Sequence, residues 1–200
     1  MSLSQRKPLA AKRKKKCRNP ECSEWFRPPN SLAFACSPKC ALDIGRVEAK
    51  KEQRQKDKET RKALKTRSEV QRETQTAFNA WVRERDADRP CISCGTTNPM
   101  TSRGGSWDCG HYRSTGANPE LRFEPLNAAK QCKRCNSYLS GNVVNFRIGL
   151  RARIGDAALA WVEGAHDAKH YGKQDLIELR DYYRREALRL KKENRSSLSP

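Results

Sequence analysis

Long apolar runs are missing from this chain of 200 residues, and with them any segment near the roughly 20 apolar residues a membrane span needs. The first residues, Met1-Ser2-Leu3-Ser4-Gln5-Arg6-Lys7, lack the hydrophobic middle of a secretory leader. The expectation is a protein of a reducing, cytoplasmic compartment with no membrane partner. Acidic residues are scarce. Asp and Glu number 23 against 42 Lys and Arg, so the formal net charge is +19 and the natural partner is a polyanion. Apolar residues are few as well, 36% beside 32% charged, which argues against one large core. Small domains with poor cores need staples, and nine cysteines can supply them.

In a reducing compartment, cysteines paired at short spacing favour zinc over disulfides. Cys17-x4-Cys22 and Cys36-x3-Cys40 form one set. Trp25, Phe26 and Phe34 lie between its two pairs, enough for a miniature core around the ion. Cys91-x2-Cys94 and Cys132-x2-Cys135 form the second and stronger set. Each set fills all four tetrahedral positions of a zinc ion, so both are expected to be structural sites with no open place. Cys109 stands outside both sets and is read as a small buried residue.

Between and beside the second pair of knuckles lie Asp108, His111, Asn127 and Asn136. Phosphodiester cleavage needs a general base for water and a divalent metal for charge on the phosphate and the leaving oxygen. His111 suits the base near neutral pH, and the amide carbonyl of Asn127 can orient it. Asp108 and Asn136 offer hard oxygen ligands for Mg²⁺ or Mn²⁺. Arg113 can hold a phosphate, as can Lys133 and Arg134 and the basic run that includes Lys14, Lys15 and Lys16. That run also reads as a localisation signal or a solubilising arm. The two other histidines, His166 and His170, are four apart with no carboxylate pattern nearby, and read as exposed residues sharing a helix face.

The segments follow from composition. Residues 1–16 read as a flexible basic arm, and 17–40 as the first zinc module. Residues 41–75, rich in Ala, Glu, Lys, Gln and Arg, read as a long solvated linker helix. Ala77, Phe78, Trp81 and Val82 recur at helical spacing, so a packed helix opens the next domain, residues 76–155. Residues 156–200 read as C-terminal helices and a polar tail.

The order His111, Asn127, Asn136, with a cysteine pair just before the last, resembles the HNH or ββα-metal nuclease motif. The resemblance implies a zinc-stabilised α+β core in which His111 is the base, Asn127 its orienting residue and Asn136 a metal ligand. One departure stands out: the family's metal ligand directly before the base is replaced here by Gly110. Asp108, at the same strand parity as position 110, is the candidate in its place. A closer resemblance spans about Cys17 to Ile154. Arg83-Glu84-Arg85-Asp86, Pro90-Cys91-Ile92-Ser93-Cys94-Gly95, Asp108-x-Gly110-His111-Tyr112-Arg113, Leu121-Arg122-Phe123, Gln131-Cys132, Cys135-Asn136 and Ser140-Gly141-Asn142 resemble the NinG (Rap) recombination proteins of lambdoid phages.

That resemblance implies an endonuclease acting on branched recombination intermediates, Holliday junctions and D-loops, in the cytoplasm of a bacterial host. Resolving a symmetric junction takes two cuts, so a homodimer is expected, with recombination proteins as further partners. Two other readings stay open: a zinc-dependent DNA-binding protein that does not cleave, and an adaptor whose zinc modules bind protein.

Overall fold

The computed structural model describes residues 13–100 and 105–196. The first twelve residues of the expected basic arm and the last four of the expected tail lie outside the described residues. The chain divides after Leu64 into two compact units.

In the first unit β1 (Lys15–Lys16) pairs antiparallel with β2 (Trp25–Phe26) in a two-residue ladder. Helix α1 (Pro38–Leu64) follows. Ser37 starts it: its Oγ accepts from Cys40 N at 3.2 Å, and Pro38 occupies the first helical position, where its missing N–H is no loss. The Cys36–Cys40 pair therefore spans a helix start. The miniature core expected between the two pairs needs correcting. Trp25 is 61% and Phe34 41% exposed, so in this short segment the cysteine cluster has little apolar support. Along α1 only Ile44 is buried.

The linker helix expected over residues 41–75 is broken at Lys65 and Thr66. Thr66 Oγ1 accepts from Glu69 N at 3.3 Å and Glu69 Oε2 accepts from Thr66 N at 2.7 Å. This reciprocal capping box starts a new helix, α2 (Arg67–Arg85). The boundary expected between residues 75 and 76 thus falls inside α2, and residues 156–196 belong to the same compact unit as the hairpin described next.

The second unit is built around an antiparallel hairpin of β3 (Trp107–His111) and β4 (Ala128–Cys132), in register from Trp107 opposite Cys132 to His111 opposite Ala128. One face packs Cys109 and Ala128 against Phe78 and Val82 of α2, with Phe123, Leu176 and Tyr183. The other face packs Ala129 against Phe146, Leu150 and Leu159 of α3 (Val143–Glu163). Helix α4 (Lys173–Ser196) lies along α2. Thr74 donates to the Leu176 carbonyl at 2.8 Å, Arg180 to Glu73 at 3.0 Å, and Asn194 to the Glu84 carbonyl at 3.0 Å. From Glu73 and Thr74 to Glu84 the partners advance from Leu176 and Arg180 to Asn194, so the two helices run parallel. His166 and His170 lie in the loop between α3 and α4 rather than on a helix. Among the described residues no helix is long and apolar enough to cross a membrane.

Candidate metal centres and the hairpin site

Two clusters of four cysteines form, Cys17, Cys22, Cys36 and Cys40 in one, Cys91, Cys94, Cys132 and Cys135 in the other. The sulfur atoms of each lie within 4.8 Å of one another. A tetrahedral zinc with sulfur at about 2.3 Å requires sulfur pairs roughly 3.8 Å apart. Cys22 and Cys36 are 3.6 Å apart, Cys36 and Cys40 3.6 Å, Cys94 and Cys132 3.7 Å, all far beyond a disulfide bond. Both donor sets fit zinc. In each cluster some thiols resist ionising without a cation: the Cys22 thiol beside Cys36 pushes it up to about 12, and burial pushes Cys132 up to about 12, whereas the Ser37 hydroxyl brings Cys40 down to about 7 and Cys91 is held below its ordinary value. Loading either cluster must therefore release protons. Cys109, buried on the α2 face and pushed up to about 12 by burial, belongs to neither.

The second cluster ties the knuckle to the hairpin. Ile92 N donates to the Lys130 carbonyl at 3.1 Å, and Cys132 N to Cys91 Sγ at 3.3 Å. Around Cys135 the chain makes a single wide helical turn, Arg134–Tyr138, that carries Asn136 to the flank of β3. There the Asn136 amide donates to Asp108 Oδ2 at 3.0 Å. Ser137 Oγ lies 3.5 Å from the same oxygen, and Lys133 Nζ 4.0 Å from Oδ1. Carboxylate, amide and hydroxyl are the hard oxygen donors a Mg²⁺ or Mn²⁺ ion prefers, once the amide is turned to present its oxygen.

The structure gives Gly110 a physical reason. A Cβ there would collide with Gln131 Oε1 and come within 2.8 Å of the Phe146 ring. No side chain fits at the position where the resembled motif carries a ligand. Asp108, two residues earlier on the same strand face, is where a carboxylate fits.

His111 leaves β3 on the opposite face from Asp108. Its ring lies 5.8 Å from that of Phe78, and its Nε2 is 3.2 Å from the Arg122 carbonyl. A carbonyl only accepts, so Nε2 carries the proton and Nδ1 holds the lone pair. Burial pushes the imidazole down to about 4, which keeps it neutral at physiological pH. The orienting carbonyl is thus that of Arg122, not the side chain of Asn127 as expected. Asn127 is fully buried and braces backbone. Its Oδ1 accepts from Arg113 N at 2.8 Å, and its Nδ2 donates to the carbonyls of Arg113 and Leu121 at 3.0 and 3.1 Å. Its own carbonyl accepts from Tyr112 N at 2.9 Å, so Asn127 holds the end of β3 in place.

Of the candidate phosphate ligands, Lys14 and Lys15 to Lys16 are exposed, and Lys15 Nζ donates to the Ser31 carbonyl at 2.9 Å. Arg134 is exposed beside the hairpin site. The Arg113 guanidinium is pinned on Asn118 Oδ1 at 3.0 and 3.2 Å. Sequence reasoning passed over Arg122 and Gln131. Gln131 Nε2 bridges Ser93 Oγ at 2.7 Å and the Gly141 carbonyl at 2.6 Å, which ties the knuckle to the loop after Asn136. Arg122 and Gln131 both stand in segments that carry the NinG resemblance, Leu121-Arg122-Phe123 and Gln131-Cys132, but no role was attached to either.

Fold and sites together define a mixed α+β protein with two four-cysteine clusters that can hold zinc. The chain belongs to the NinG family: the family described as Bacteriophage Lambda NinG protein matches residues 9–193. It is 40% identical over 193 residues to Protein ninG of Salmonella phage P22, covering 88% of this chain and 93% of that one. To Protein ninG of Escherichia phage lambda it is 40% identical over 193 residues, covering 88% and 92%. To Protein ninG of Enterobacteria phage H19B it is 44% identical over 178 residues, covering 80% and 85%. No solved structure matches.

Proposed function

We propose that this protein is a structure-specific endonuclease that hydrolyses phosphodiester bonds in branched DNA during phage recombination, with an HNH-like site on the β3–β4 hairpin. The meeting of Asp108 and Asn136 at 3.0 Å, directly beside the second cysteine cluster, carries this reading. Asp108 and Asn136 are the residues that would hold a magnesium or manganese ion, which supplies charge neutralisation at the scissile phosphate and the leaving oxygen.

His111 is assigned the base through Nδ1; because its ring leaves β3 on the face opposite Asp108, this role requires the scissile phosphate to straddle the end of the strand. Water attacks phosphorus, its proton passes to Nδ1, the bond to the leaving oxygen breaks, and that oxygen takes up a proton from solvent. Arg122 fixes the tautomer, and Asn127 fixes the strand end that presents the ring. Lys133 and Arg134 supply positive charge for the phosphates next to the site. Two copies of the chain, acting in the host cytoplasm with recombination proteins as partners, suit the paired cuts a four-way junction requires.

The test is incubation of the protein with a synthetic four-way junction and with linear duplex, with and without Mg²⁺. Junction nicking only with the metal is expected, and Asp108→Ala should abolish it. His111→Ala should slow it by roughly 10²–10⁴-fold, the range for a lost general base, while junction binding persists. Failure to cut any DNA under Mg²⁺ or Mn²⁺ sinks the nuclease reading. Full turnover in His111→Ala removes that imidazole from the chemistry.

A further inference from the structure

The loop that follows Asn136 has a shape the cleavage site does not require. Three consecutive residues, Ser140, Gly141 and Asn142, have positive φ, at 47°, 86° and 43°. Two of them carry side chains, for which this conformation is costly. The loop is nevertheless tightly held. Gly141 N donates to the Asn136 carbonyl at 3.0 Å, Asn142 N to the Leu139 carbonyl at 2.8 Å, and Leu139 N to the Arg134 carbonyl at 2.9 Å. Asn142 Nδ2 reaches Cys135 Sγ at 3.4 Å, and Gln131 Nε2 the Gly141 carbonyl.

This bracing displays apolar side chains to solvent. Tyr138 is 75% and Leu139 48% exposed at the loop's outer edge, and Val143 and Val144 are exposed just past the turn. The surrounding chain selects the occupant. From Pro125 to Gly155 there is no Asp or Glu, and although Lys133, Arg147, Arg151 and Arg153 meet Asp108, Glu163, Asp156 and Asp86 from other parts of the chain, Arg134 is exposed four residues before Tyr138. An apolar tip beside that cation, on a chain of net charge +19, complements a polyanion that carries flat apolar faces, which is nucleic acid with unstacked bases.

We infer that Tyr138 and Leu139 form a rigid wedge that stacks on nucleobases exposed at the branch point of a DNA junction. It deepens the proposed function and rests on the branched-DNA part of that reading. Duplex DNA hides its base faces in the stack, whereas a branch point opens them, so the wedge discriminates by shape without reading sequence. It sits two residues beyond Asn136, so engaging the branch brings the neighbouring phosphates to the hairpin site.

The test uses the full chain in buffer without added magnesium, with four-way junctions carrying 2-aminopurine at the branch or in mid-arm, and a matched linear duplex. Wild type should change the fluorescence of the branch probe and leave the mid-arm probe unaltered. Tyr138→Ala and Leu139→Ala should abolish that change and reduce the preference for junction over duplex by about tenfold, the loss expected of one base stack. Tyr138→Phe should retain both. Zinc content and melting temperature equal to wild type show that the variants are folded. Unchanged fluorescence and junction preference in the alanine variants overturn the wedge. So does a fall in solution mass on Tyr138→Ala, which makes the patch a contact with a second copy. Cleavage with Mg²⁺ is read separately: a branch signal that depends on Tyr138 in a protein that never cuts keeps the wedge and rejects the nuclease, and the reverse result does the opposite.

Discussion

Arg153 of α3 donates to the carboxylate of Asp86, the residue that ends α2, at 2.8 Å. Asp86 also takes Arg85 through two bonds of 2.9 Å and the Lys130 N–H of β4 at 3.0 Å. Arg85 goes on to the carbonyls of Pro125 and Ala128 at 3.1 and 2.8 Å. One carboxylate thereby joins α2, α3 and the hairpin. Burial alone would raise its pKa, but the Arg85 guanidinium, the Lys130 amide and Arg153 outweigh it and hold the carboxyl below its ordinary value.

Replacing Asp86 by Ala leaves two half-buried guanidinium groups without their buried counter-charge. The cost should be about 3–5 kcal/mol, the usual penalty for removing one partner of a buried ion pair. Denaturant unfolding of wild type and Asp86→Ala measures it. A loss below about 1 kcal/mol would show that Asp86 is not the joint described.

Metal analysis should find two zinc ions per chain. Cys132→Ser should lower the count to one and unfold the unit after Leu64, because Cys132 also ends β4. Cys22→Ser should lower the count to one and leave the main unfolding transition in place. Equal zinc content in wild type and both variants would contradict the ligand assignment.

His111 makes stability depend on pH in a defined direction. Its folded pKa is pushed down to about 4 from an ordinary 6.5, so between those values the unfolded chain binds a proton that the folded chain refuses. The neutral ring's contribution is fully present above about pH 6.5 and is lost as the pH falls toward 4, on the order of 3 kcal/mol in total. The stability difference between wild type and His111→Gln should therefore shrink over this window. A difference that stays constant from pH 7 to pH 4 would mean that the ring is not held as described.

The oxygen donors on the hairpin can be probed without DNA. Mn²⁺ binding followed by paramagnetic resonance should weaken by about tenfold or more in Asp108→Ala, since a carboxylate is the main charge a hard cation meets there. Asn136→Asp should tighten binding by adding a second carboxylate. Identical Mn²⁺ affinity in all three proteins would separate the Asp108–Asn136 pair from metal binding.

Gly149 marks the closest approach of α3 to the zinc knuckle, where a Cβ would collide with the Ile92 carbonyl oxygen. That atom is backbone and held by the cysteine cluster, so it yields little. Gly149→Ala should cost roughly 1–3 kcal/mol through overpacking. A thermal melt at or above wild type would show that α3 can shift away freely.

Cysteine spacing was the most legible feature, because a metal demands its ligands at short, fixed intervals whatever the rest of the chain does. The packed face of α2 was legible from Phe78 and Val82 at helical spacing. The break before α2 was in principle readable as Thr66-x-x-Glu69, but the unbroken run of helix formers around it masked the capping box. That Asp108 shares a strand face with Gly110 followed from parity. What the sequence withheld was burial. Nothing local to Asn127 shows that its amide is consumed by backbone, and nothing local to His111 shows that Phe78 lies against its ring. Both facts depend on contacts formed across long separations in the chain.

The parallel pairing of α2 with α4 has a consequence for how the chain acquires its structure. Thr74 and Leu176 meet across 102 positions, so one flank of the hairpin is covered only after nearly the whole polypeptide has been made. During synthesis the knuckles and hairpin emerge first, at a stage when Phe78 still faces water. Metal capture by the thiols is thus available as an early event, and docking of the last helix is the step that seals the unit.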